Sequence, residues 1–459
     1  MESYTNRTFD ELQIGESVTR SHKLTQPDVE GLAFVSGELD AFHADAPHPP
    51  AAEAVAAHAL ISGLVQRRLP GPGTEIVAQQ MRYSGSMQVG DEITGTLTVR
   101  EKRPATREVV LDCRVQCGDT ELVAGSITVV APAQRIALQG LGEPEIVLRH
   151  NDAFARLLQR CKGMPPVPCA VVHPCDHDSL LGPLEAARHG LIVPVLVGPQ
   201  AKIRAAAQAA GADVSGLRIV DTEHSHAAAE AAVALARAGE VQALMKGSLH
   251  TDELMAAVVA GATGLRTARR ISHVFVMDVP AYPRMLLITD AAINVAPKLR
   301  DKMDIAQNAI DLAQVLGIAQ PRVAILAAVE TVNPDMQSTL DAAALCKMAD
   351  RGQITGGLLD GPLAFDNAVS EAAARTKKIE SAVAGRADIL LAPDLESGNM
   401  IAKQLQYLAG ADSAGIVLGA RVPIVLTSRA DSVRSRLAST VVMALLADAQ
   451  RRKQAAPAC

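Results

Sequence analysis

Val422-Pro423-Ile424-Val425-Leu426-Thr427-Ser428-Arg429-Ala430-Asp431-Ser432 opens as an apolar, β-prone run and then breaks into two hydroxyls, a guanidinium and a carboxylate. A short apolar run of this kind reads as a buried strand of a parallel sheet. Open α/β sheets bind ligands just past the carboxyl ends of their strands. On that reading Arg429 projects into a cleft, where its fork of donors suits phosphate or an acyl carbonyl. The other reading is a plain helix start, with Thr427 or Ser428 as N-cap and Arg429 and Asp431 in solvent. The first is favoured because the pattern recurs along the chain.

Working outward, the chain after about residue 145 alternates short apolar runs with Ala-rich helical spans. Strands are expected at 169–172, 191–197, 241–245, 284–289, 322–327, 389–391 and 422–426. Helices are expected over 201–210 and 226–238, stopped by Gly211 and Gly239. This alternation predicts parallel βαβ architecture. The span is longer than one compact doubly wound sheet needs, so two subdomains with a cleft between them are expected.

Five of these strands run into polar residues. They are Lys246-Gly247-Ser248, with Thr251 beyond; Thr289-Asp290, with Asn294; Glu330-Thr331; Asp394, with Glu396, Ser397 and Asn399; and Thr427-Ser428-Arg429. Asp366-Asn367 adds a further patch. Singly, each is an ordinary strand-to-helix loop, and Thr251 alone reads as a cap. Together they rim a cleft suited to a phosphorylated or CoA-type ligand, with Lys246 and Arg429 balancing negative charge. His273, just ahead of an apolar run, is expected to line the same cleft.

Residues 1–135 differ in texture. Tyr4, Phe9, Phe34, Phe42 and Tyr83 concentrate here. An Ala-rich helix is expected over 51–68, with Ala51, Val55, His58, Ala59, Ser62 and Val65 on one stripe. Pro70-Gly71-Pro72-Gly73 forces a turn. Alternating segments at 75–83, 92–100, 107–116 and 121–130 follow. One helix and a set of long antiparallel strands predict an α+β domain whose sheet wraps the helix. Residues 136–144 read as a linker to the second domain, 145–459.

Composition closes off other classes. Of 459 residues, 48% are hydrophobic and the net charge is -6. Trp is absent and aromatics make up 2%, which argues against a nucleic-acid partner. No apolar run reaches membrane-spanning length. The polar N-terminus lacks a signal-peptide core. Seven irregularly spaced cysteines suggest reduced thiols in a cytoplasm. The motifs G-x-G-x-x-G, G-x-x-x-x-G-K-[ST] and G-x-S-x-G are missing where each would be needed. Cys169, His173, Cys175 and His177 resemble a metal cluster, but no second ligand pair follows at structural-zinc spacing, and no metal is expected.

Seven collinear segments give a more specific reading. They are Leu244-Met245-Lys246-Gly247; Ile271-Ser272-His273; Ile288-Thr289-Asp290-Ala291-Ala292-Ile293-Asn294; Ala328-Val329-Glu330-Thr331-Val332-Asn333-Pro334; Asp360-Gly361-Pro362-Leu363-Ala364-Phe365-Asp366-Asn367-Ala368; Ala392-Pro393-Asp394-Leu395-Glu396-Ser397-Gly398-Asn399; and Leu426 to Ser432. In these, residues 145–455 resemble the phosphate acetyltransferase/phosphate butyryltransferase family, closest to its butyryltransferase branch. The resemblance implies two α/β subdomains, about 145–272 plus 420–459 and about 273–419, with the active site in the cleft. It implies reversible transfer of a short acyl group between acyl-CoA and phosphate. CoA and phosphate are then substrates, and no cofactor is needed. It also implies a homodimer or larger assembly.

Residue by residue, the resemblance gives Arg429 the phosphate and the developing oxyanion, Ser428 a hydrogen bond to the same group, and Lys246 the balancing of phosphate charge. Thr251, Ser272, His273, Asp290, Asn294, Glu330, Asn367 and Asn399 become substrate-binding candidates. A carboxylate should act on the CoA thiol as general base. The acetyltransferase branch places an aspartate seven residues after the serine, where this chain has Ser435. Asp431 is the candidate instead, with Asp366 and Asp290 behind it. Nor is the arginine that some acetyltransferases carry early in this domain evident over 173–188.

Residues 1–135 resemble a MaoC-like hot-dog domain, as in R-specific enoyl-CoA hydratases. The segments are Val35-Ser36-Gly37-Glu38-Leu39-Asp40-Ala41-Phe42-His43, Ala57-His58-Ala59, Leu69-Pro70-Gly71-Pro72-Gly73 and Val89-Gly90-Asp91. The hydratase dyad is an Asp five residues before a His. Here His43 is kept and Glu38 stands at the Asp position. The extra methylene moves the carboxylate by about an ångström, a shift that costs on the order of 100-fold where geometry is tight. The domain is therefore either a second, hydratase centre or an acyl-CoA-binding or dimerisation module.

Overall fold

The computed structural model describes residues 3–25, 28–29, 31–32, 50–85, 87–88, 90–139, 153–428 and 431–455. Glu38, His43 and Arg429, all expected site residues, lie outside the described residues. The chain divides into two compact units, Met1–Arg149 and His150–Cys459.

In the first unit, β1 (Ser3–Thr5) is followed by β2 (Ser17–Lys23), helix α1 (Pro50–Arg67), β3 (Glu75–Tyr83), β4 (Glu92–Arg103), β5 (Glu108–Cys117), β6 (Thr120–Val130) and β7 (Ala137–Gln139). A five-stranded antiparallel sheet runs β2-β4-β5-β6-β3. Inward residues of β4 alternate with outward ones, as Ile93, Leu97 and Val99 predict. α1 buries Leu60, Ile61, Leu64 and Val65 in the same core, each worth about 2 kcal/mol when fully covered. The expected stripe through His58, Ala59 and Ser62 is displaced, because the larger Leu and Ile side chains turn inward. Gly95 sits where the helix crosses the sheet; a Cβ there would lie 3.1 Å from Leu60 and 3.2 Å from Leu64. The linker expected at 136–144 is partly structured: β7 pairs with β1, Tyr4 opposite Leu138.

The second unit holds α2 (Ala153–Arg160), β8 (Val167–Val172), α3 (His177–Arg188), β9 (Ile192–Gly198), α4 (Gln200–Ala209), β10 (Arg218–Asp221), α5 (Ser225–Arg237), β11 (Ala243–Lys246), α6 (Thr251–Val259), β12 (Ser272–Asp278), β13 (Leu286–Thr289), α7 (Leu299–Val315), β14 (Arg322–Leu326), α8 (Gln337–Asp350) and β15 (Leu358–Leu363). It continues with α9 (Phe365–Val369), α10 (Glu371–Thr376), β16 (Ile389–Leu391), α11 (Leu395–Leu408), β17 (Asp412–Leu418), β18 (Ile424–Val425) and α12 (Val433–Ala455). One sheet orders these strands β10-β9-β8-β11-β18-β17-β12-β13-β16-β14-β15.

The sheet is mixed, which corrects the purely parallel expectation. β10-β9-β8-β11-β18 are mutually parallel, and so are β13-β16-β14-β15. Between the two sets, β17 runs antiparallel to β18 and β12, and β12 antiparallel to β13. The first set comes from 145–272 plus 420–459; the remaining strands come almost wholly from 273–419. β18 is shorter than the expected 422–426 and pairs parallel with β11 on one side only.

One face of the sheet carries a single continuous core under α3, α7, α8 and α12. The other face carries two separate cores. One packs Val172, Leu244, Val417 and Ile424 under α5 and α6. The second packs Phe275, Ile288, Ala324 and Leu390 under α9, α10 and α11. Among the described residues, no helix is long and apolar enough to cross a membrane.

Candidate active site

The carboxyl ends of β8, β11 and β18 lie side by side. Lys246, the last residue of β11, is only 3% exposed. Its Nζ lies 3.4 Å from the Thr427 carbonyl and 3.5 Å from that of Gly247. Gly247 lets the two strand ends close up, since a Cβ there would stand 2.4 Å from the Val172 carbonyl. Ser248 then ties β11 to the end of β8: its N–H and Oγ both reach the His173 carbonyl at 2.9 Å. His173 Nδ1 is 3.3 Å from the Ser248 carbonyl, and burial lowers its pKa. Of the cluster noted in the sequence, Cys169 is in the core, and His177 pairs with Asp178 in solvent. Among the described residues, no three His, Cys, Asp or Glu gather to hold a metal.

The loop after β18 is held from within and from behind. Asp431 Oδ2 accepts the Ser428 N–H at 2.6 Å, and the Asp431 N–H donates to the Ser428 carbonyl at 3.2 Å. Gln406 Nε2 lies 3.4 Å from Asp431 Oδ1. From behind, Arg436 of α12 donates from Nη1 to Thr427 Oγ1 at 2.7 Å and from Nη2 to the Ser428 carbonyl at 3.1 Å. Arg436 was not anticipated from the sequence. Its one signal was a charged residue on the helical stripe that continues through Met443 and Ala447, both buried. Ser435 bonds to Ser432 at the helix start and lines a cavity of about 230 Å³ with Phe154, Leu158 and Asp412.

A second cluster is built on Asp290. Its Oδ1 accepts the N–H groups of Ala292 and Ile293; its Oδ2 accepts those of His273 and Asn294 and the Asn294 side chain at 2.5 Å. Asn294 also receives Arg270 Nε at 2.7 Å, Asn399 donates to the Ala291 carbonyl, and Ser272 Oγ receives Asn308. With both oxygens filled by donors, Asp290 organises the 290–294 turn. His273 is fully buried against Phe275, edge to face at 4.5 Å, and neither ring nitrogen has a hydrogen-bond partner. Burial pushes its pKa down to about 4, with Asp290 and Asp431 pulling the other way. It lies on the face of the sheet that carries two cores.

A third cluster forms past β14 and β15. Glu330 Oε2 meets Lys377 Nζ at 3.0 Å and Asn367 Nδ2 at 3.4 Å, and the Lys377 ammonium lowers its pKa. Asp366 is 57% exposed, 3.9 Å from Lys377. Close by is a cavity of about 880 Å³, lined by Lys298, Phe365, Ser397 and the buried Lys302–Asp341 pair among others. Thus Lys246, Ser428 and Asp431 come together, as do Ser272, His273, Asp290, Asn294 and Asn399, and Glu330, Asp366 and Asn367. Thr251 opens α6 directly after its N-cap, His250.

The family described as "Phosphate acetyl/butaryl transferase" matches residues 226–444. A phosphate acetyltransferase of Rhizobium meliloti is 62% identical over 303 residues, 66% of this chain and 96% of the relative. A phosphate butyryltransferase of Clostridium beijerinckii is 41% identical over 294 residues, 64% of this chain and 97% of the relative, so the greater similarity is to the acetyltransferase and not, as expected, to the butyryltransferase branch. The crystal structure of a branched-chain phosphotransacylase from Enterococcus faecalis V583 superposes with a TM-score of 0.54 at 28% identity, covering 61% of this chain and 99% of that one.

Proposed function

This chain belongs to the phosphate acetyl/butyryl transferase family, and we infer that it transfers a short acyl group reversibly between acyl-CoA and inorganic phosphate. The observation that carries the placement of the chemistry is the meeting of Lys246 with the Thr427–Ser428 loop at the ends of β11 and β18. A phosphate oxygen attacks the thioester carbonyl, the carbonyl oxygen becomes an oxyanion, and the C–S bond breaks. Acyl phosphate and the CoA thiolate result, and the thiolate takes a proton. In reverse, a carboxylate removes the thiol proton and the thiolate attacks the acyl phosphate.

Donors aimed at the developing oxyanion are each worth roughly 3 kcal/mol in a water-poor site. Ser428 and Arg429 take that role, and Lys246 balances the phosphate charge. Asp431 is the proton carrier: it lies in the same turn as Ser428, whereas Asp290 is saturated with donors and Asp366 lies in the third cluster, largely exposed. The cavity of about 880 Å³ suits the body of CoA, with apolar walls and Lys298 for a phosphate. The reading includes no cofactor. The two cores on one sheet face support two subdomains meeting at a cleft. A homo-oligomer fits the apolar side chains Met400, Tyr407 and Leu408 that α11 leaves exposed, and the reading places it in the cytoplasm.

Phosphate-dependent release of thiol from acetyl-CoA or butyryl-CoA tests the reading. Turnover should vanish in Arg429→Ala. No turnover above that variant with either thioester would end it.

The separate first unit favours a second reading. Its helix held in a five-stranded antiparallel sheet supports the hot-dog resemblance. Glu38 and His43 would then hydrate trans-2-enoyl-CoA. Loss of crotonyl-CoA absorbance, abolished by His43→Ala, is the expected result; no loss at high enzyme concentration leaves a binding or dimerisation module.

A further inference from the structure

We propose that Arg436 is the positioning residue of the acyl-transfer site: it clamps the Thr427–Ser428 loop from behind and so sets the direction of Ser428. The proposal rests on the acyl-transfer reading above. Arg436 sits in the first turn of α12, yet its side chain is 2% exposed. A buried guanidinium is costly unless its donors are used and its charge is balanced. Here Nη1 holds the Thr427 hydroxyl at 2.7 Å and Nη2 the Ser428 carbonyl at 3.1 Å, two consecutive residues of one loop. Asp431, Asp176 and Asp178 supply the balancing negative charge. Nε has no hydrogen-bond partner, so the hydrogen bonds named for the guanidinium both go to the loop.

The stem has a slot of its own. Gly182 of α3 packs against it, and a Cβ at Gly182 would stand 2.8 Å from Arg436 Cδ and 2.9 Å from its Cβ. A planar fork that spans two acceptors fixes orientation in a way a point charge does not. Arg436 directly follows Ser435, where the acetyltransferase branch has its carboxylate. In this chain the first turn of α12 thus presents a cation to the back of the loop.

The test combines steady-state kinetics with hydrogen exchange on the full chain. Arg436→Gln should lower kcat about tenfold or more with KM for acyl-CoA within about twofold. Arg436→Lys should recover part of kcat, since it keeps the charge but not the two-acceptor span. The Ser428 and Asp431 amides should exchange faster in Arg436→Gln while β11 stays protected. Gly182→Ala should lower kcat in the native background and have no further effect when combined with Arg436→Ala, because the displaced stem is then gone. Thr427→Val, which removes one acceptor and leaves the arginine, should give an intermediate loss even if the Arg436 variants fail to fold. Unchanged kcat in Arg436→Gln or Thr427→Val, unchanged loop exchange, or additive effects of Gly182→Ala and Arg436→Ala would overturn the proposal. A native chain that turns over neither thioester would remove the acyl-transfer reading, while loop exchange would still decide whether Arg436 is a clamp.

Discussion

Lys246 Nζ lies 3.4 Å from the Thr427 carbonyl across 181 residues of sequence. The parallel register of β11 and β18, Leu244 opposite Ile424 and Met245 opposite Val425, brings the two strand ends level. On the proposed reading, a cation at that point serves the phosphate. Lys246→Met keeps the stem and removes the charge, so it should lower kcat/KM for phosphate by roughly 100- to 1,000-fold. Its thermal midpoint should fall by no more than a few degrees, because relief of the buried charge offsets the hydrogen bonds lost to the Thr427 and Gly247 carbonyls. Native-like phosphorolysis in Lys246→Met would remove the lysine from the site.

Asp431 does two things that one substitution separates. It accepts the Ser428 N–H, and it is the proposed proton carrier. Asparagine keeps an acceptor at the same place and cannot take a proton at neutral pH. Asp431→Asn should therefore retain the loop and lose about 100- to 10,000-fold in kcat, in both directions. The matched experiment is Asp366→Asn, which should leave kcat within a few-fold. If the two results are exchanged, the base is Asp366.

The ends of the parallel strands could be read from the sequence because apolar runs and their polar breaks are local. The strands at 75–83 and 389–391 stand where periodicity puts them. β12 and β17, at the centre of the large sheet, were not legible. Ser272 and His273 open one and Asp412, Ser413 and Gly415 the other, and these polar and small residues cut short the β-prone runs 274–277 and 416–418 that would have marked them. They are strands because the neighbouring strands bury them, a tertiary effect. The same reasoning explains the site. Lys246 and Ser428 are chemically conspicuous wherever they lie. Arg436 in a helix start reads as a solvated charge until the fold turns it inward.

Lys302 and Asp341 form an ion pair of 2.8 Å beside the large cavity, with side chains 6% and 7% exposed. Gln337 bonds to the other Asp341 oxygen. Removing one partner leaves a buried charge, so Lys302→Met or Asp341→Asn alone should cost about 3–5 kcal/mol in chemical denaturation. Lys302→Met combined with Asp341→Leu should recover most of that loss. Equal and additive losses in the singles and the double would show that the pair is not coupled.

His273 links the two strand systems, and its titration has a definite sign. Burial lowers its pKa from 6.5 to about 4 in the folded chain. The unfolded chain therefore binds the proton first as the pH falls. Stability from this residue is complete above about pH 6.5, is lost progressively between 6.5 and 4, and totals about 3 kcal/mol at most. His173, whose pKa burial also lowers, adds a smaller loss of the same sign. Denaturation midpoints measured across that window should fall more steeply for the native chain than for His273→Asn, which cannot titrate there. Above pH 7 the two slopes should coincide. Parallel curves from pH 7 to 4 would mean that His273 gains a proton as readily folded as unfolded, which its enclosure by Phe275 and the backbone of Gly415 does not allow.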